Sequence, residues 1–263
     1  MKNLVFGVIA VVLFAFNGNA QEPNKNLENL YASNDVFNVD SNVENNLNEK
    51  IAVRKWWVTA IVDGAGALGG AGSVASFISV GSATPWGWAA IAGGAILGGA
   101  GASLAKVGNV KPQDNGIKDL SNSLNEFDWV GVSHNQIIND YFSSNYEFNS
   151  DNYLDFIKTH KCDYKNIDVY FENEYIKNQT ALVVKLETDE QVIDYALENL
   201  PDEIDKEEFK QFLNNLLLSQ DGNSFIKEVK TYENKFINEK HSKETKIKLL
   251  SFFSTLRYSC NLW

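Results

Sequence analysis

The side chains best suited to chemistry in this sequence are its three histidines, its two cysteines and the carboxylates near them. Asp128 and His134 lie in one short aromatic motif, and a histidine beside a carboxylate is a common unit of proton transfer. The alternative is structural. Asp128 would cap a helix that starts near Val130, while His134 and Asn135 would hydrogen-bond to a neighbouring segment. We favour this structural interpretation and expect no catalytic residue.

The run His160-Lys161-Cys162 raises the question of a thiol–imidazole pair or a metal site. Cys260 is the one other cysteine, and no second pair of ligands stands at the spacing of a metal site. The sequence contains no phosphate-binding loop, dinucleotide fingerprint, nucleophile elbow or zinc-protease helix. We therefore predict no metal, no cofactor and no enzymatic activity.

The elements that would position these residues follow a predicted export signal. Lys2 precedes an apolar run from Leu4 to Phe16, which is too short to span a bilayer comfortably. Gly18 and Ala20 then occupy the positions that a signal peptidase accepts. We predict a cleaved bacterial signal peptide over residues 1–20 and an exported protein that is periplasmic, associated with the outer membrane or secreted. The alternative is an uncleaved anchor helix.

Charge and cysteine content narrow the class of protein further. The formal net charge of −11 argues against non-specific binding to nucleic acid, so we predict no nucleic-acid partner. Export to an oxidising compartment permits a disulfide between Cys162 and Cys260. Two buried free thiols are the alternative, and the sequence does not decide between them.

Two segments of unusual composition follow the predicted leader. Residues 21–50 are rich in asparagine, which favours turns over regular elements, and we predict a flexible arm. Residues 51–111 contain an uncharged stretch from Gly64 to Ala105, made mostly of Gly, Ala and Ser. A turn ending at Pro85 divides this stretch, and Pro85 suits the first position of a helix. A helical hairpin is predicted, with segments over Trp56–Ser79 and Trp86–Val107.

Small residues recur at every fourth position in both halves of the hairpin, and residues four apart share one helix face. A face without bulk lets two helices approach closely, as in the small-xxx-small packing of membrane helices. Each glycine costs a helix about 1 kcal/mol in water, so these segments need a partner helix or lipid around them. The rows are Ala67, Ala71, Ala75 and Ser79, then Ala90, Gly94, Gly98 and Ala102, and the predicted helix-packing residues are Gly66, Gly70, Gly94, Gly98 and Ala102.

The flanks of the hairpin carry tryptophans and cations, which favour the surface of a bilayer. The predicted interface anchors are Trp56, Trp57, Trp86 and Trp88. We therefore predict that the hairpin contacts a lipid bilayer or associates with copies of itself. The alternative is a hairpin that packs beneath a soluble domain.

Residues 112–263 have the charged, amphipathic pattern of a helical domain. Helices are predicted over Val130–Phe142 and Tyr153–His160, and four more follow, with start signals at Thr188, Asp205 and Ser242. The segment Gln179–Leu186 fits either a short strand or a helical turn. The predicted fold is all-α, with a minor β element left open: a Gly/Ala-rich hairpin and a C-terminal bundle of amphipathic helices.

Two local patterns carry a resemblance. The Trp-Trp pair with Gly-Ala-Gly-Ala-Leu-Gly-Gly-Ala-Gly and Gly-Gly-Ala-Ile-Leu-Gly-Gly-Ala-Gly-Ala-Ser-Leu resembles the glycine-zipper segments of pore-forming bacteriocins. The chain is also similar to uncharacterised exported bacterial proteins in which such a segment precedes an aromatic motif, here Phe127–Asn135, and which end on Arg257-Tyr258-Ser259 and an aromatic, here Trp263. The secretory leader and the long acidic domain depart from the bacteriocins. The resemblance implies no known activity.

These observations favour an exported, non-enzymatic protein whose glycine-zipper hairpin contacts membrane or self-associates. The alternative is a soluble periplasmic or secreted helical binding module in which the hairpin is only a packing element. The sequence identifies no protein partner for either.

We expect the exported protein to begin at Gln21, because Gly18 and Ala20 precede it at the positions read by a signal peptidase. N-terminal sequencing of the extracytoplasmic fraction measures this directly. A protein that starts at Met1 in that fraction would contradict the prediction.

Overall fold

The computed structural model describes residues 41–77, 84–144, 146–160 and 173–263 of the chain. The chain divides into two compact units, residues 1–44 and 45–263, and the second contains the helical domain. The predicted leader, most of the predicted arm and Cys162 lie outside the described residues. Within the described ranges the helices are α1 (Ser41–Phe77), α2 (Pro85–Val107), α3 (Trp129–Ser143), α4 (Ser150–His160), α5 (Asn173–Val183), α6 (Asp189–Glu198), α7 (Lys206–Leu217), α8 (Gly222–Asn238) and α9 (Lys243–Ser259).

The all-α prediction is confirmed, since the described residues form helices and no strand. The ambiguous segment Gln179–Leu186 resolves as the end of α5 followed by a turn. Ile176, Thr180 and Val183 are buried in α5, and this spacing of three and four residues belongs to one face of a helix. A lone strand here would lack a partner for its backbone groups.

The first helix begins earlier than the sequence suggests. It starts at Ser41, so residues 41–50, predicted as part of a flexible arm, are helical. Asparagine is a poor helix former but not a helix breaker, and extending an existing helix is much easier than nucleating one. The packed part of α1 therefore carries the helix back into the Asn-rich segment.

Local signals fix most of the other helix starts. Thr84 caps α2 by accepting a hydrogen bond from the Gly87 amide, and Pro85 occupies the first turn. Thr188 and Gln191 form the predicted capping box at α6. The side chains of Asp205 and Ser242 accept hydrogen bonds from backbone N–H groups at the starts of α7 and α9. The sequence patterns therefore fix these boundaries through side-chain caps.

The hairpin of α1 and α2 lies at the centre of the domain. Helices α3, α5 and α9 pack against α2, and Gly64 of α1 faces Phe252 and Leu256 of α9. Each hairpin helix has a 21-residue segment long and apolar enough to cross a membrane, Trp56–Ser76 and Gly87–Val107. In each, 83% of the apolar window is buried inside the protein. The amphipathic helices thus cover the hairpin.

Glycine allows the backbones of α1 and α2 to touch. A β-carbon added at Gly66 would lie 2.6 Å from the carbonyl oxygen of Gly98. A β-carbon added at Gly94 would lie 2.6 Å from the carbonyl oxygen of Gly70. Ala102 meets Gly66 at the same crossing. The structure therefore brings the five predicted helix-packing residues together. In α1 the contact row is Gly66 and Gly70, one residue before the alanine row seen in the sequence.

We expect Gly70→Ala to destabilise the fold by about 1–3 kcal/mol, because its new methyl group would collide with the Gly94 and Gly98 backbones, which cannot rotate away. Gly72→Ala is the matched control in the same helix. A β-carbon at Gly72 meets nothing within 4 Å, so alanine should be neutral or stabilising by up to about 1 kcal/mol. Urea unfolding of both variants gives the comparison. Equal effects would contradict the close crossing.

Candidate functional site

The centre of the domain holds a buried carboxyl group on Asp63 of α1, which has no exposed surface. Its Oδ2 atom accepts hydrogen bonds from the hydroxyls of Ser103 on α2, at 2.8 Å, and Ser259 on α9. The indole Nε1 of Trp263, beyond α9, donates to the same oxygen at 3.2 Å. One acidic side chain therefore links the hairpin to the end of α9 and the residues after it.

His134 of α3 is a titratable neighbour of this carboxyl group. Its Nε2 lies 3.7 Å from Oδ2 of Asp63, and both side chains are fully buried. The Asn135 amide nitrogen donates to the Tyr258 carbonyl, which leaves its Oδ1 to accept from Nδ1 of His134 at 2.9 Å. This orientation of Asn135 favours the tautomer of the neutral ring that carries its proton on Nδ1.

Burial shifts both groups towards their neutral forms. Desolvation raises the pKa of Asp63 to about 8 against the opposing effect of its three hydrogen bonds. Desolvation also lowers the pKa of His134 to about 4. The other carboxyl oxygen of Asp63 has no hydrogen-bond partner in the described part of the chain, whereas the His134 ring interacts with Asn135 and the Gly99 backbone. Burial therefore favours the neutral form of each side chain over an ion pair.

A second buried polar cluster surrounds Arg257 of α9, whose side chain has no exposed surface. Its guanidinium lies 2.5 Å from a carboxylate oxygen of Asp128 and 3.0 Å from one of Glu233 on α8. Asn122 and Asn125 each donate to Glu233 at 2.6 Å. The buried Arg257 and Glu233 side chains are thus paired, which is the condition for tolerating them in a protein interior, and Nε of Arg257 alone has no partner among the described residues of this cluster.

The two sequence motifs meet through this cluster. Asp128 stands at the start of α3 but makes no side-chain cap, contrary to the prediction. Its carboxylate instead binds Arg257 and accepts from the Tyr258 hydroxyl at 3.1 Å. His134 lies against Asp63 rather than Asp128, so the Asp128–His134 pair does not form, and Asn135 hydrogen-bonds to the Tyr258 carbonyl of α9 as the structural interpretation predicted. The motif residues hold α3 to α9.

A cleft of about 700 Å³ lies next to the Asp63 cluster, because Trp263 contributes to both. Its volume falls in the range of ligand-binding pockets. Helix α1, the end of α2, the segment before α6 and the residues after α9 form its walls. The lining residues are Trp56, Val58, Thr59, Lys106, Val107, Val110, Lys111, Gln113, Glu187, Asp189, Leu262 and Trp263.

The four tryptophans predicted as interface anchors have different environments. Trp56 is 37% exposed at the cleft, whereas Trp57 is buried, stacks on Phe225 and donates to the Ser219 carbonyl. Trp88 is half-buried beneath the ammonium of Lys243. The side chain of Trp86 lies outside what the structure describes. In this arrangement Trp57 is a core residue and is not available to a bilayer.

The structure describes Cys260 and His160 but not the other residues of the predicted cysteine and histidine groups. Cys260 is buried and forms no disulfide with a described residue, and burial raises the pKa of its thiol strongly. Its predicted partner Cys162 lies outside the described residues, as does Lys161. His160 interacts through Nδ1 with the Phe156 carbonyl. Among the described side chains, no three His, Cys, Asp or Glu residues are grouped as a metal site requires.

Sequence reasoning missed Asp63 and Glu233. Asp63 stands directly before the uncharged stretch and inside the apolar segment of α1. A lone carboxylate at such a position could have been recognised as a buried polar residue. Glu233 lies four residues after Val229 and three before Phe236, on the apolar face of α8. A carboxylate on an apolar face requires a buried partner, and this rule would have identified both residues.

Comparison with known proteins yields no relative: no family model, curated protein or solved structure matches the chain. Function is therefore inferred from the geometry of the helical domain. The similarity to bacteriocin segments and to exported bacterial proteins stays a prediction.

We expect the stability of the domain to fall as pH rises from 6.5 to about 8. In the folded state Asp63 keeps its proton up to about pH 8, whereas in the unfolded chain it releases the proton above its ordinary pKa of 3.8. A rise in pH between these values therefore lowers the free energy of the unfolded state relative to the folded state. His134 makes stability rise with pH between about 4 and its ordinary pKa of 6.5, because only the unfolded chain binds a proton there. Above pH 6.5 this contribution ends, and the fall in stability caused by Asp63 remains. The free energy of unfolding should fall by up to about 1.4 kcal/mol per pH unit.

Asp63→Asn should flatten this dependence, because an amide does not titrate and still offers an oxygen to the three donors. Asp194→Asn, an exposed change of the same chemistry, should leave the slope as it is. Urea unfolding across the pH window measures each slope. A wild-type slope that Asp63→Asn preserves would show that another group is responsible.

Proposed function

We propose that the protein is an exported, non-enzymatic helical binding module in which the Gly/Ala-rich hairpin is a packing element. The observation that carries this proposal is the burial of the hairpin, 83% in both apolar windows, beneath helices of the same chain. A core that is already covered needs neither lipid nor a second copy to hide its apolar surface. The cleft of about 700 Å³ at the side of the domain supports a binding role.

The contacts of the small residues support the same function. Gly66 and Gly70 of α1 face Gly94 and Gly98 of α2, so this close-packing surface is occupied within one molecule. Self-association through the same residues would require α1 and α2 to separate first. Separation would also expose the backbone carbonyls of these glycines, which now face the opposite helix.

Asp63 adds an electrostatic argument. It lies within the apolar window Trp56–Ser76, where a carboxyl group is expensive in a bilayer unless it is paired. Its partners include Ser259 and Trp263, which belong to other elements of the domain. Insertion of α1 and α2 alone would remove these partners. The hydrogen bonds therefore favour a hairpin that stays inside the domain.

A second function, membrane contact through the hairpin, is favoured by one observation. Both hairpin helices have an apolar segment of 21 residues, enough to span a bilayer at about 1.5 Å per residue. In that function the amphipathic helices would act as a cover that opens at the membrane.

Partitioning of the mature protein between buffer and liposomes separates the two functions. For a packing hairpin, we expect the wild type to remain in buffer. Gly98→Leu should lower folded stability in the absence of lipid, because its side chain would collide with Gly66 and Gly70. Ile96→Leu keeps the volume of a buried side chain and should cost less than about 1.5 kcal/mol.

Simple apolar partitioning predicts the opposite order, since Gly98→Leu makes the segment more hydrophobic. Strong binding of the wild type to liposomes, increased further by Gly98→Leu without loss of folding, would overturn the packing proposal in favour of membrane contact.

A further inference from the structure

A second cavity, of about 310 Å³, lies between α8 and the segment that joins α2 to α3. It shares no lining residue with the cleft beside Trp263. The charged side chains in its lining are those of Lys118, Asp119, Lys227 and Lys230. Three positive charges against one negative charge leave a local charge of +2 in a chain whose net charge is −11. Cations of one sign gathered in a concave surface concentrate the field that attracts an anion.

The backbone around Lys118 is fixed by its neighbours. Gly116 and Asp119 have left-handed conformations, with φ of 66° and 61°, and aspartate is one of the residues that adopt this region. Ile117 packs against the start of α8, where a β-carbon at Gly222 would collide with its side chain. The Ile117 amide also donates to the side-chain oxygen of Asn261 at 2.7 Å. Lys118 is therefore held at the cavity by a defined loop.

The single carboxylate of the lining neutralises only one of the three lysines. Asp119 forms an ion pair with Lys230 at 2.9 Å, and the two side chains are 83% and 20% exposed. Lys118 and Lys227 form no ion pair with any residue that the structure describes. Other lysines of α5, α8 and α9 each bind a carboxylate, as expected in an acidic protein. Two ammonium groups therefore line this cavity without a neutralising partner in the described ranges.

The rest of the lining is mostly polar. Asn223, Thr231 and Asn234 of α8 contribute amide and hydroxyl groups. The apolar side chain of Ile226 is 4% exposed and belongs to the core. The volume is at the lower end of the range of ligand pockets, roughly 300–1,000 Å³. Such a cavity suits a small, polar and negatively charged group rather than an acyl chain.

We propose that this cavity binds a dianionic oxyanion group, phosphate or sulfate, of a small polar ligand through the ammonium groups of Lys118 and Lys227. Two negative charges balance the local charge of +2, which a single carboxylate would leave half compensated. Lysine binds such groups as a point charge and forms charge-assisted hydrogen bonds with their oxygens. The proposal adds a site to the binding function proposed above and does not depend on the packing of the hairpin.

Three probes test the charge of the ligand: inorganic phosphate, inorganic sulfate and acetate, each titrated at pH 7.5 and constant ionic strength. Backbone amide NMR signals of the mature wild-type protein give the affinity and the location of binding. We expect phosphate and sulfate to cause saturable shifts at residues 118–119 and in the first half of α8. Acetate should bind several-fold more weakly, because it carries one charge instead of two. The tighter of phosphate and sulfate identifies the group that the cavity prefers.

Variants of both signs locate the site on the protein. Lys118→Met and Lys227→Met keep the apolar stem of the side chain and should each weaken phosphate binding by up to about five-fold, the effect of one exposed charge contact. Lys240→Met makes the same change of net charge beyond the end of α8, outside the cavity lining, and should leave the affinity unchanged. Asp119→Asn should tighten binding by a similar factor, because it removes the carboxylate that competes for Lys230. Asparagine also tolerates the left-handed backbone at this position.

Each contrary result has a definite meaning. Acetate binding as tightly as phosphate and sulfate overturns the dianionic class of ligand. No saturable shift with phosphate or sulfate, or an equal loss of affinity in Lys240→Met and Lys227→Met, overturns the cavity as the site and leaves only a diffuse effect of net charge. Urea unfolding of each variant shows that a lost affinity does not come from a lost fold. These results leave the packing of the hairpin to the liposome partition, which tests it separately.

Discussion

A carboxyl group deprived of water must find its hydrogen bonds inside the protein, and in this domain Asp63 imposes that requirement at the centre of the fold. Ser103 donates one hydrogen bond to it from within the hairpin. Ser259, at the end of α9, and Trp263, after α9, donate the others. An alternative packing of α1 would leave the same group buried without partners or expose it with its apolar neighbours. The position of the hairpin is thus specified by polar geometry as well as by apolar burial.

The glycine contacts and the outer helices depend on each other. Gly and Ala give α1 and α2 little apolar surface of their own and a weak tendency to be helical in water. Close approach of their backbones compensates through many short-range contacts. Phe252 and Leu256 of α9 then supply the bulk that the hairpin lacks. A core of small residues surrounded by large ones differs from the usual bundle, in which each helix contributes large side chains to the centre.

The sequence was informative wherever structure is decided locally. Pro85, Thr188, Asp205 and Ser242 act within one turn of their own helices, so their signals could be read directly. Asp128 looked like another cap, but the distant Arg257 competes for its carboxylate through a stronger, charge-assisted bond. The Asp63 cluster and the cleft arise from segments far apart in the chain, and no periodicity within a segment encodes which distant segments meet.

The separation between Asp63 and its partners also bears on the order of folding. Ser259 and Trp263 lie 196 and 200 residues further along the chain. Contacts across so long a separation form late, because a large loop must close before they contribute. Since α1 and α2 are weak helices without cover, they gain their final stability only when α9 docks. A partly synthesised chain that has not yet delivered α9 therefore leaves the hairpin uncovered, and at that stage a chaperone would find its binding site.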